Sequence, residues 1–154
     1  MTMGLWDRVV AAYERAGVPE ICLKLQDEHG QNTSLLLWAA IARPQDEAVL
    51  AQAVAAARSW DETALTPLRA VRRALKAPSP PVADAAREGL REDVKAAELR
   101  AERVLVETLE SLRAAASGPV AQDGAALAAV TAAARAWGRP APDAALAALV
   151  AGLA

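Results

Sequence analysis

Residues 90–112, LREDVKAAELRAERVLVETLESL, are the stretch that decides the fold. Apolar side chains recur there at intervals of three and four residues from Leu90 to Leu112, which covers about six helical turns. That spacing places the apolar side chains on one face of an α-helix. We therefore predict a long amphipathic helix as the central element of the protein, and we expect Gly89 to interrupt its first turns.

Glycine and proline divide the rest of the chain into shorter helical segments, because proline starts helices and glycine ends them. Short polar side chains at residues 32–34 and acidic ones at residues 46–47 are typical of helix starts. Within residues 61–77, Pro67 is expected either to kink the helix or to follow Thr66 as its cap. The breaks are predicted at Gly17–Pro19, Gly30, Pro44, Pro78–Pro81, Gly118–Pro119 and Gly138–Pro142.

The composition favours an all-α protein. Alanine makes up 41 of the 154 residues, phenylalanine is absent and aromatic residues total 3%, so the large and β-branched side chains of a sheet are scarce. We predict one domain of about seven to eight helices, with residues 1–117 as the main bundle. The alanine-rich segment 118–154 is expected to add two helices, about 124–137 and 143–152, held to the bundle by Trp137.

Charge and hydropathy exclude two classes of partner. A net charge of −2 argues against nucleic acid, because domains that bind it normally carry a basic excess. No uncharged run reaches the roughly 20 residues that span a bilayer, and the first residues lack the pattern of a secretory leader. We therefore expect a cytoplasmic protein without a membrane partner.

A cluster of basic residues follows Pro67, and it gives the leading functional hypothesis. Its members lie on adjacent helical faces beside an apolar stripe, where they could bind a small anion or an acidic partner protein. The alternative is internal: if this helix packs against residues 90–112, the arginines could pair with Glu98 and Glu102. The cluster consists of Arg69, Arg72, Arg73 and Lys76.

A second hypothesis is a pocket between helices that holds a small molecule or serves a minor enzyme. Its expected lining is Trp6, Trp38 and Trp60, with Gln26, Arg72, Glu98 and Glu102 as polar contacts. No catalytic residues are assigned, because one histidine and one cysteine support few catalytic arrangements. No metal or cofactor is expected. A third hypothesis is a homodimer in which the alanine-rich tail packs on its mate.

Several motifs resemble a small proteobacterial family known as domain of unknown function 2390. The resemblance covers roughly residues 5–112 and implies a helical fold and a bacterial source, without a reaction or a ligand. It is carried by Leu5-Trp6, Tyr13, Gly17-Val18, Cys22-Leu23, Leu25-Gln26-Asp27, Gly30, Leu35–Leu37, Trp60, Pro67-Leu68-Arg69, Arg72-Arg73, Leu75-Lys76, Leu90-Arg91, Val94-Lys95, Glu98-Leu99 and Ala101-Glu102-Arg103.

Overall fold

The structure is a computed structural model that describes residues 3–116 and 125–154. Within those residues the chain forms eight α-helices and one π-helical turn, and it contains no strand. The all-α prediction is therefore confirmed. The α-helices are α1 (Leu5–Tyr13), α2 (Val18–Asp27), α3 (Thr33–Ala42), α4 (Glu47–Trp60), α5 (Thr66–Ala74), α6 (Asp84–Ala116), α7 (Ala125–Trp137) and α8 (Asp143–Leu153).

Polar caps start α3 and α4 where the sequence predicts them. The Asn32 side chain accepts a hydrogen bond from the backbone N–H of Leu35 at 3.0 Å, and Asp46 accepts one from Ala48 at 2.8 Å. Each cap satisfies an N–H group that has no partner within its own helix. Ahead of α2, Gly17 adopts a positive φ of 84°, which any other residue would adopt only with strain.

The centre of the bundle is α3 rather than α6. Residues 34–40 of α3 are all buried, since α1, α6 and α7 pack around the helix. By contrast, α6 has 33 residues and buries mainly its second half, through Ala101, Leu105, Val106 and Leu109. In the first half, where α5 is a neighbour, Leu90 stays half exposed. Gly89 does not interrupt α6.

A π-helical turn at Asp61–Leu65 joins α4 to α5 without a break. Thr66 does not cap a new helix, because its hydroxyl donates to Asp61 at 3.0 Å. Pro67 lies in the first turn of α5, directly after the widened turn. Proline removes a backbone N–H and crowds the preceding turn, so a local change of helical pitch accommodates it.

The alanine-rich helices α7 and α8 pack closely on the rest of the chain. Ala129, Ala133 and Ala134 are buried, and α7 packs against α3, α4 and α8, where small side chains permit close approach. The indole N–H of Trp137 donates to the carbonyl of Gly30 at 2.8 Å. Arg58 lies over the Trp137 ring, 4.9 Å from its centroid. The predicted break at Gly118–Pro119 and the boundary between residues 117 and 118 lie outside the described residues.

Replacing Trp137 with Phe should loosen α7 more than the rest of the bundle. The variant keeps an aromatic ring but loses the bond to Gly30, so we expect the free energy of unfolding to fall by about 1 to 2 kcal/mol. Hydrogen exchange should accelerate selectively in residues 125–137. Trp60→Phe is the matched control, since it removes an indole bond between α4 and α6 instead. Unchanged exchange in α7 would contradict an anchoring role for Trp137.

Candidate functional site

The site begins with an ion pair between α5 and α6. The Arg72 Nε donates to Glu98 Oε2 at 2.6 Å, and its second donor nitrogen lies 3.4 Å from Oε1. Arg69 adds its guanidinium at 3.6 Å from the same carboxylate. Glu98 is 9% exposed, so its charge depends on these two arginines rather than on water.

The direction of α6 brings these groups together. Arg87 donates to the carbonyl of Leu75, and Arg91 to that of Arg72, so α6 runs back along α5. This antiparallel packing places Glu98 beside the first half of α5. The pairing of arginines with Glu98 that the sequence left open is therefore present in the structure.

The four basic residues of α5 and its C-terminal end do not form one uniform face. Arg69 and Arg72 both contact Glu98, whereas Arg73 pairs with Asp27 of α2 at 3.1 Å with both side chains about half exposed. Lys76, just beyond the helix, is exposed. Arg69 and Arg72 thus form ion pairs inside the protein, whereas Arg73 and Lys76 remain near its surface.

Beside this ion pair lies a pocket of about 440 Å³, named here the α1–α6 pocket. Its walls come from α1, α2, α3, α5 and α6, and several predicted site residues meet in it. Its charged and amide side chains are Glu14, Gln26, Arg72, Lys95, Glu98 and Glu102. Its aromatic and aliphatic walls include Trp6, Tyr13, Val10, Leu23, Leu37 and Leu99.

Two of the three tryptophans expected to line the pocket are elsewhere. Trp38 is 0% exposed, so its ring belongs to the core and not to the pocket wall. Trp60 lies at the end of α4, where its indole N–H donates to the carbonyl of Ala101 at 2.8 Å. The expectation that Trp38 and Trp60 line the pocket is wrong, and Trp6 lines it with Tyr13 instead.

Glu102 is the electrostatically unusual residue of the pocket. Burial and the nearby charge of Glu98 raise its pKa to about 7, although Arg69 and Arg72 act in the opposite direction. In residues 3–116 and 125–154, no hydrogen bond or ion pair reaches its carboxylate. The pocket therefore contains a carboxyl group that exchanges its proton near neutral pH.

The charge of Glu102 affects the pKa values of Cys22 and Tyr13. Burial, and then the charge of Glu102, raise the pKa of the Cys22 thiol to about 12. Burial is the largest cause that raises the pKa of Tyr13, and the charges of Cys22 and Glu102 raise it further. Both groups stay protonated at neutral pH, so Cys22 is a poor nucleophile. Among the described residues, no group of three His, Cys, Asp or Glu side chains is placed to hold a metal ion.

Sequence reasoning identified the polar residues of the pocket more fully than its apolar wall. Tyr13, Leu23 and Leu99 were not assigned to it. The seven-residue spacing between Trp6 and Tyr13 places both on one face of α1, a signal that could have linked them. Leu23 and Leu99 offered no such signal, since apolar residues on a helix normally face the core.

Comparison with known families identifies the chain. The family described as a protein of unknown function, DUF2390, matches residues 4–109, and the chain belongs to it. The predicted resemblance is confirmed. Every residue named in the α1–α6 pocket falls inside the matched range, whereas α7 and α8 lie beyond it. No curated protein and no solved structure matches the chain. In the described ranges, none of the helices is long and apolar enough to cross a bilayer.

The raised pKa of Glu102 should make the free energy of unfolding depend on pH. Below pH 4 the folded and unfolded chains both hold this proton. Between pH 4.5 and about 7, only the unfolded chain loses it, so this residue lowers the free energy of unfolding as the pH rises. Replacing Glu102 with Gln should remove this pH-dependent fall in the free energy of unfolding.

Urea unfolding of wild type and Glu102→Gln at pH 4 and pH 8 measures the effect. We expect the variant to gain up to about 3 kcal/mol relative to wild type between the two pH values. Asp93→Asn on the same helix is the matched control, because Asp93 is exposed. A difference between variant and wild type that does not change with pH would contradict the raised pKa.

Proposed function

We propose that this protein binds a small organic molecule in the α1–α6 pocket. The observation that carries the proposal is that an aromatic and aliphatic wall meets two carboxylates, the buried Glu98 and the partly buried Glu102, in one cavity of about 440 Å³. Cavities of a few hundred Å³ that combine apolar walls with a few polar groups are typical of ligand sites.

Charge in the pocket supports selective binding. The Arg72–Glu98 pair forms a rigid polar wall, because both guanidinium and carboxylate are held by short contacts. Glu102, one turn further along α6, adds a group whose protonation changes near neutral pH. A ligand that satisfies this carboxyl would gain a strong and directional contact in a partly desolvated site.

A binding face formed by Arg69, Arg72, Arg73 and Lys76 receives less support. An acidic partner would have to compete with Glu98 for two of these side chains. Removing them from Glu98 would leave a buried carboxylate unpaired, which is strongly destabilising. Arg73 and Lys76 alone would offer a small exposed patch, where ion pairs contribute little.

A larger groove on another face of α1 is also less suitable. It measures about 690 Å³ and is lined mainly by alanine and aliphatic side chains, with Arg8, Arg15 and Arg43 around it. Arg15 already donates to the carbonyls of Leu153 and Ala154. No buried titratable group is present among its described lining.

We further propose that the protein acts in the bacterial cytoplasm, as its composition and family suggest.

Fluorine NMR of protein labelled with 5-fluorotryptophan tests ligand binding directly. The chain contains four tryptophans, and Trp6 is the one that lines the α1–α6 pocket. Single Trp→Phe variants assign the four resonances. In a fragment library that spans acids, bases and neutral compounds, we expect the hits to move the Trp6 resonance while those of Trp60 and Trp137 stay in place.

A pocket-filling variant provides the control. Val10→Phe introduces a ring into the pocket and should weaken the hits at least tenfold, whereas Ala11→Phe on the adjacent, exposed face of α1 should leave them unchanged. The proposal fails if no fragment moves the Trp6 resonance, or if Val10→Phe binds the hits as tightly as the Ala11→Phe protein.

A further inference from the structure

We infer that the occupant of the α1–α6 pocket is an organic cation: a protonated amine whose ammonium group contacts Glu102 and whose apolar body lies against Trp6 and Tyr13. This inference rests on the proposed function and specifies the class of ligand. It follows from three features of the pocket: which charges already have partners, which groups the Glu102 carboxylate acts on, and how the apolar wall is arranged around them.

The cations that line the pocket already have carboxylate partners. Arg72 is bonded to Glu98 through two contacts, and Lys95 pairs with Glu92 at 2.9 Å. Glu102 differs from these groups, since in the described part of the chain it forms no ion pair or hydrogen bond. The unmet requirement of the pocket is therefore a positive charge with hydrogen-bond donors, placed next to Glu102.

The Glu102 carboxylate acts on the groups around it where α1, α2 and α6 meet. Glu102 makes ionisation of both Tyr13 and Cys22 less favourable, which places those groups within the field of its carboxylate. Glu98 acts on the pKa of Glu102 in the same direction, and its effect is larger than that of either arginine taken singly. An ammonium group at this position would be attracted by the same field that opposes further negative charge.

The apolar wall suits a cation with a hydrocarbon body. Trp6 and Tyr13 present aromatic rings from α1, and ring faces attract ammonium groups in partly desolvated sites. Leu23 and Leu99 also line the pocket and remain 51% and 55% exposed. Large apolar side chains that are half exposed beside a cavity would gain by contact with the hydrophobic part of a ligand.

An anionic ligand would meet the opposite conditions. To gain the buried cation of the pocket it would have to draw Arg72 away from Glu98, and it would lie close to the Glu102 carboxylate. The first change leaves a buried charge without its partner, and the second adds repulsion in a site of low polarity. The two arginines in contact with Glu98 thus hold the wall together and are not free to bind an anion.

Three probes of nearly equal size and shape separate the possibilities: 2-phenylethylammonium, 2-phenylethanol and phenylacetate. Titration at pH 7.5, followed through the fluorine resonance of Trp6, should give binding of the amine at least tenfold tighter than that of the alcohol. The carboxylate should bind most weakly. Replacing Glu102 with Gln keeps the shape of the side chain and should remove the preference for the amine over the alcohol. Asp93→Asn, which removes an exposed charge from the same helix, should preserve it.

Each contrary result has a distinct meaning. Equal binding of the amine and the alcohol, or an unchanged preference in Glu102→Gln, overturns the cation assignment while binding in the pocket still stands. Failure of all three probes to move the Trp6 resonance at 10 mM, when other fragments of the library do move it, also overturns it. If no fragment of any charge moves that resonance, the proposed function itself fails.

Discussion

The contact of Glu98 with Arg69 and Arg72 is the interaction on which the site depends. Glu98 is only 9% exposed, and a carboxylate that has lost most of its contact with water needs cations to compensate it. The two arginines supply that compensation from α5, and so they hold α5 against the middle of α6. All three side chains contribute to the fold, and two of them, Arg72 and Glu98, also form part of the polar wall of the α1–α6 pocket.

This arrangement explains why two glutamates four residues apart behave differently. Glu98 contacts both guanidinium groups, with Arg72 at 2.6 Å. Glu102 instead loses hydration in the pocket and lies near the negative charge of Glu98, and both effects raise its pKa. A titratable group whose pKa is shifted by its surroundings is characteristic of functional sites. Here the pKa of Glu102 is raised because the group is largely withdrawn from water and lies near Glu98, and no arginine among the described residues forms an ion pair with it.

Much of the fold could be predicted, because helix periodicity and caps are local properties of the sequence. The stripe from Leu90 to Leu112 identified α6, but which half of that helix is buried depends on the helices that pack against it. The role of Trp38 depends equally on its surroundings, since its side chain is enclosed in the core while Leu37, the residue before it, lines the pocket. The behaviour of Glu102 requires groups from α1, α2 and α5 that are distant in sequence, so no local pattern could show it.

A double-mutant cycle on Arg72→Ala and Glu98→Ala tests the central claim most directly. The free energy of unfolding is measured for wild type, both single variants and the double variant. If the pair holds α5 on α6, the two losses should be strongly non-additive, with a coupling energy of about 2 kcal/mol. Glu98→Ala should lower the free energy of unfolding more than Arg72→Ala does, because Arg69 still pairs with Glu98 in the Arg72→Ala variant. Losses that add within about 0.5 kcal/mol would contradict the account.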